Sequence, residues 1–133
     1  MRHAKLLSAA LLAFGLAVAA GPVSWAATEA PFTQQAFAAA QREGKPILVY
    51  IAASWCPTCA KQRPILSQLE NDPAFRDLAV YTVDFDAQKD VVRALGARMQ
   101  STLIVFHGAT ERGRSTGATD PSAIKALLEK AEA

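Results

Sequence analysis

The most constraining feature of this chain is an uninterrupted apolar run, Ile47-Leu48-Val49-Tyr50-Ile51-Ala52-Ala53, which leads through Ser54-Trp55 into Cys56-Pro57-Thr58-Cys59. A run of that length is a strand, and a strand apolar on both faces belongs in the middle of a sheet covered by helices. Beyond it the pattern changes. A helix opens at Cys56 and runs to about Glu70, with Pro57 in the first turn, where its missing N–H is not needed, and Pro64 inside as a kink. A strand feeding a helix in this way excludes an all-α or all-β chain.

The other elements fit that frame. Residues 27–31 read as a short linker, followed by a helix from Phe32 to Gly44. Thr33 is its N-cap, Phe32 and Phe37 are placed for a hydrophobic staple, and Gly44 ends it. Asn71-Asp72-Pro73 marks a turn. Leu78 to Phe85 reads as a strand, Lys89 to Leu95 as a helix and Thr102 to Phe106 as a third strand. A turn at His107-Gly108-Ala109 leads to a polar edge strand from Glu111 to Ser115. Asp120 and Pro121 open a last helix, with Ile124, Leu127, Leu128 and Ala131 on one face. The order αβαβαββα predicts an α/β domain over 32–133. Its sheet is expected to be central and mostly parallel, with an antiparallel C-terminal hairpin and helices on both faces.

The amino terminus stands apart from this domain. Arg2, His3 and Lys5 precede an apolar run from Leu6 to Ala20, a Gly21-Pro22 break and the small residues of Ser24-Trp25-Ala26. That is the layout of a secretory signal peptide over residues 1–26, cleaved after Ala26; the alternative is an uncleaved anchor. The protein is then exported, and periplasmic if it comes from a Gram-negative bacterium. Arg2 and Lys5 account for the whole formal charge of +2, and the remainder holds 12 basic and 12 acidic residues. A near-neutral domain gives no reason to expect nucleic acid or an anionic membrane as partner.

Export places the two cysteines where a disulfide persists. The loop between Cys56 and Cys59 is too small to stabilise a fold by restricting the unfolded chain, which leaves chemistry as the reason for the pair. At a helix start, unpaired N–H groups and the positive end of the dipole favour the Cys56 thiolate as nucleophile. Cys59, one turn on and more shielded, then resolves the mixed disulfide. A zinc site needs about four ligands, against two Cys and one His outside the leader, so no metal is expected in a single chain. No organic cofactor is implied, because the sulfurs themselves hold the electrons.

From Phe32 to the C-terminus the chain resembles the thioredoxin superfamily. The resemblance rests on Trp55-Cys56-Pro57-Thr58-Cys59 after a hydrophobic strand, Pro64 five residues beyond Cys59, the Thr102-to-Phe106 strand and Gly117 before the last helix. These fall in register from Gly96 to Leu128, and Glu43-Gly44-Lys45-Pro46 before the strand is similar to periplasmic thioredoxin-like domains. The resemblance implies a thioredoxin-like fold and a thiol–disulfide oxidoreductase acting, as a monomer, on thiols or disulfides of cell-envelope proteins. Trp55, Pro57, Gln100, Ser101 and Thr102 would line the partner groove. By resemblance alone the direction leans to reduction, which requires an electron donor such as a membrane relay protein.

Two residues depart from the family pattern. Ser101 stands where the family usually has a cis-proline that packs against the disulfide. A cis bond before serine costs about 2.5–4 kcal/mol, so the Gln100–Ser101 bond is expected to be trans. The lost ring is expected to open space beside the sulfurs, room for a metal or cluster shared between two chains. Tyr50 replaces a buried aspartate that assists proton transfer to the second cysteine, and it reads as core filler. Both departures sustain a competing reading, a non-catalytic thioredoxin-fold binding module. His107, Lys61 and Arg63 read as solvated, and Asp84 and Asp86 as loop charges.

Overall fold

The computed structural model describes residues 20–21 and 26–133; apart from residues 20, 21 and 26, the leader read as a signal peptide lies outside the described residues. In chain order the elements are β1 (Thr28–Pro31), α1 (Gln34–Arg42), β2 (Pro46–Ala52), α2 (Pro57–Glu70), β3 (Ala79–Asp84), α3 (Lys89–Ala94), β4 (Thr102–His107), β5 (Thr110–Thr116) and α4 (Pro121–Glu132). A 3-10 turn spans Pro73–Phe75. The sheet order is β1-β3-β2-β4-β5, which places the apolar run of β2 in the centre.

Two expectations are corrected. The sheet is mixed rather than mostly parallel: β1 and β2 run parallel to β3, but β4 runs antiparallel to both β2 and β5. The chain re-enters the sheet at the end where it left: Asp84, the last residue of β3, pairs with Ala52, and Thr102, the first of β4, pairs with Ile51. The second correction is residues 28–31, read as linker, which form the edge strand β1. Their sequence carries no alternation, and the strand is defined by pairing: Thr28 N–H donates to Leu78 O at 3.0 Å and Phe32 N–H to Thr82 O at 2.9 Å. Pro31 is tolerated there because an edge strand leaves one side of its backbone unpaired.

Alternation along β2 and β4 divides the core into two layers. Ile47, Val49, Ile51, Ile104 and Phe106 pack with Phe37 and Ala40 of α1 and Val92 of α3. Leu48, Tyr50, Ala52, Leu103 and Val105 pack with Cys59 and Leu66 of α2 and Ile124, Leu127 and Leu128 of α4. The expected caps are present: Thr33 accepts from Ala36 N–H at 3.1 Å and Asp120 from Ala123 N–H at 2.8 Å. Phe32 and Phe37 meet with ring centroids 5.3 Å apart, as the staple requires.

At the β4–β5 turn, Gly108 has φ +56°, and an added Cβ would lie 3.3 Å from Gln41 O and Gly44 Cα. Only glycine lets this turn seat against the end of α1. The adjacent His107 is not a solvated residue: its Nδ1 is 2.7 Å from Ala131 O, joining β4 to α4.

Candidate active site

The site forms where β2 ends and α2 begins. Ala53 O accepts the Cys56 N–H at 3.2 Å, turning the chain out of the sheet. Cys56 is then the N-cap of α2, with extended backbone and Pro57 following in the first turn. Its sulfur occupies the place of a capping oxygen and accepts the Cys59 N–H at 3.0 Å. Cys56 and Cys59 are joined as a disulfide with Cα atoms 5.2 Å apart. Once that bond opens, the same N–H and the helix dipole face the Cys56 sulfur and favour its anionic form. Both cysteines are covered, Cys56 at 2 % and Cys59 at 0 % exposure, so the shielding order is as expected but the margin is narrow.

Trp55 is 57 % exposed. Its indole N–H donates to Asp86 Oδ2 at 2.7 Å, and Asp84 Oδ1 accepts the Asp86 and Ala87 N–H groups at 2.9 Å each. Asp84 and Asp86 are thus the mount of Trp55, not free loop charges. Nothing local in the sequence marks this contact, which spans 31 positions.

The turn before β4 lies at the same end of the sheet as the end of β2. Thr102 pairs with Ile51, so this turn sits beside the end of the strand that leads to the disulfide. The structure has no cis peptide among the described residues, and Ser101 takes φ +58°, the left-handed region that side chains disfavour. The Ser101 hydroxyl donates to Gln100 O at 2.6 Å, while Ser101 O accepts from Gly117 N–H at 2.9 Å and from Gln62 Nε2 at 3.2 Å. Ser101 is 5 % exposed. Thr102 is also buried, its hydroxyl donating to Met99 O at 2.7 Å and lying 3.0 Å from Thr116 Oγ1.

Of the five groove candidates, Trp55 and Pro57 are exposed and Gln100 is half-buried. Ser101 and Thr102 are buried. Met99, which sequence reasoning missed, is 52 % exposed on the same turn.

Behind the disulfide, Tyr50 is more than filler: its hydroxyl donates to Cys59 O at 3.3 Å. Burial pushes the phenol pKa up and the Arg63 charge opposes that shift, so the hydroxyl keeps its proton at neutral pH. Arg63 is tied down as well, donating through Nη2 to Ala53 O at 3.3 Å. Glu29, Tyr50, Arg63, Leu66, Ser67 and Glu70 line a cleft of about 200 Å³. Within it the Glu70 carboxyl is pushed up to about 7, first by burial and then by the charge of Glu29. Gln62, also missed, is 0 % exposed and directs its amide at the Ser101 turn. Among the described residues no group of three or more His, Cys, Asp or Glu side chains is arranged to hold a metal ion.

A mixed sheet between paired helices, with a disulfide across the first turn of the helix that follows its central strand, defines a disulfide oxidoreductase of the thioredoxin fold. The thioredoxin family model matches residues 28–130, and the chain belongs to that family. A crystal structure of Trxlp from Edwardsiella tarda is 42 % identical, with TM-score 0.74, covering 77 % of this chain and 98 % of that one. The H-type thioredoxin of Chlamydomonas reinhardtii is 32 % identical over 90 residues, covering 68 % of this chain and 78 % of that protein. Thioredoxin Asp f 29 of Aspergillus fumigatus is 29 % identical over 89 residues, covering 67 % and 80 %. The protein is a thiol–disulfide oxidoreductase, and Cys56 and Cys59 are its redox-active pair.

Proposed function

We propose that this protein is an exported reductase of disulfides in cell-envelope proteins. One observation carries the chemistry: the Cys56 sulfur caps α2 and accepts the Cys59 N–H. In the reduced state the Cys56 thiolate attacks a substrate disulfide, forming a mixed disulfide and releasing one substrate thiolate. Cys59, deprotonated in its turn, attacks the Cys56 sulfur, closes the Cys56–Cys59 bond and releases the second thiolate. The substrate gains two electrons, and the released thiolates take up the proton lost by Cys59 and one from solvent, which replaces the proton Cys56 had already given up. A donor dithiol, for which a membrane relay protein is the candidate, reverses this on the enzyme.

Export is favoured by the basic start, the apolar run from Leu6 to Ala20 and the small residues before Ala27. Cleavage after Ala26 leaves the described fold whole: Ala27 N–H donates to Glu70 O at 2.9 Å and β1 begins at Thr28. The partner groove is proposed to run between exposed Trp55 and Pro57 and the turn at Met99, Gln100 and the Ser101 backbone.

Cys59→Ser tests this reading directly. Expressed in its source cell, the variant should accumulate mixed disulfides at Cys56 with envelope proteins, identified by mass spectrometry after diagonal electrophoresis. Trapped proteins confined to the cytoplasm would remove the export claim. No trapping anywhere would leave a docking module in its place.

A further inference from the structure

We propose that Gln62 is a positioning residue of the exchange site, whose amide holds the Ser101 turn in the shape a polypeptide partner meets. Cys59, Gln62 and Leu66 are the buried residues of α2 and recur at helical spacing on one face. Leucine is what such a face ordinarily carries. Gln62 is 0 % exposed, and its Oε1 has no hydrogen-bond partner. A side chain kept only to fill space would be apolar, since an unpaired buried acceptor is costly.

What the amide adds is a pair of donated bonds to two separate loops. Nε2 donates to Ser101 O at 3.2 Å and to Ala118 O at 2.9 Å. The first of these loops needs holding, because Ser101 is the only non-glycine residue with positive φ among those described, at +58°. Gly117 N–H grips the same Ser101 carbonyl at 2.9 Å, so Gln62 and the loop before α4 fix its peptide plane from two sides. Gln62 also lies one turn from Cys59 on the same helix. One rigid element therefore sets the turn relative to the sulfurs, and the exposed Met99 and Trp55 relative to each other.

The inference rests on the partner groove proposed above including this turn. A polypeptide disulfide must dock on the turn, whereas a small aromatic disulfide needs only access to sulfur. Gln62→Leu removes both donors at similar volume, and Gln62→Met does so with an unbranched chain that adapts to the site. Each is assayed on insulin with dithiothreitol as reductant, and on 5,5′-dithiobis(2-nitrobenzoate) in single turnover with reduced protein freed of dithiothreitol, because dithiothreitol reduces that small disulfide directly. The expected result is a KM for insulin raised about tenfold with kcat held within about twofold, while the rate on the small disulfide falls by less than about twofold. An unchanged insulin KM overturns the proposal, as do equal losses on both substrates. Failure of both variants to fold also counts against it, because it would place Gln62 in general stability. Wild-type protein inert toward insulin but active on the small disulfide would instead remove the polypeptide-substrate reading, and the proposal with it.

Discussion

The two faces of the central sheet come from the same alternating strands yet do different work. The face under α1 and α3 is built from Phe32, Phe37, Tyr81 and Phe106, whose rings meet at centroid distances of 5.2–6.4 Å. The face under α2 and α4 buries Cys56, Cys59, Tyr50 and Gln62 among its aliphatic residues. The first face has packing as its task. On the second, side-chain and backbone polar groups are paired so that they shape a reactive disulfide, at the cost of the unpaired Gln62 Oε1 and Thr82 Oγ1. Burial alone does not separate structure from chemistry here; what separates them is which buried groups aim at the α2 N-terminus.

Four substitutions sharpen that contrast, taken from the largest effect to the smallest. Cys56→Ser should lower insulin reduction by at least about a thousandfold, since no other nucleophile occupies the N-cap; residual activity above one per cent would break the assignment. Phe37→Ala, on the opposite face, should cost about 3–5 kcal/mol in urea unfolding. The reduction potential of the folded fraction should stay unchanged, and a shifted potential would mean that the two faces are coupled. Tyr50→Phe removes the hydroxyl bond to Cys59 O and should cost about 0.5–1.5 kcal/mol. It should also change the rate at which Cys59 releases a trapped partner, measured by stopped-flow.

Glu70→Gln is the mildest. The folded pKa of Glu70, about 7, lies above its ordinary value of 4.5, so folding favours the protonated form. That contribution is full below the ordinary value and is lost as pH rises through about 7. Wild-type stability should therefore fall between pH 5 and pH 8 by less than about 1 kcal/mol, because the carboxyl is only half-buried and solvent screens it. Thermal melts of the variant should show a flatter profile over that range. A profile as steep as the wild type's would assign the slope to another group.

What the sequence made legible follows the same division. β2, the helix start at Cys56, the caps Thr33 and Asp120 and the apolar stripe of α4 rest on local spacing, and local spacing is what a sequence displays. β1 was not legible because Thr28-Glu29-Ala30-Pro31 has no strand pattern and exists only through its pairing with β3. The reversal of β4 was not legible because nothing local in residues 85–101 says at which end of the sheet that connection returns; only the pairing of Thr102 with Ile51 does. The mount of Trp55 on Asp86, the tie from His107 to Ala131 and the clamp from Gln62 to Ser101 are long-range contacts of polar residues, which by composition belong on a surface. Gln62 did leave one trace: it stands between Cys59 and Leu66 on the face of α2 that the apolar pattern turns inward.

The most direct test of the central claim, reversible exchange in the reducing direction at Cys56 and Cys59, is the reduction potential of the purified protein equilibrated in glutathione buffers. A reversible two-electron equilibrium near thioredoxin's value of about −270 mV is the predicted result. A value near about −120 mV would contradict the reductase reading and make the protein an oxidant, and a pair that failed to equilibrate at all would contradict exchange itself.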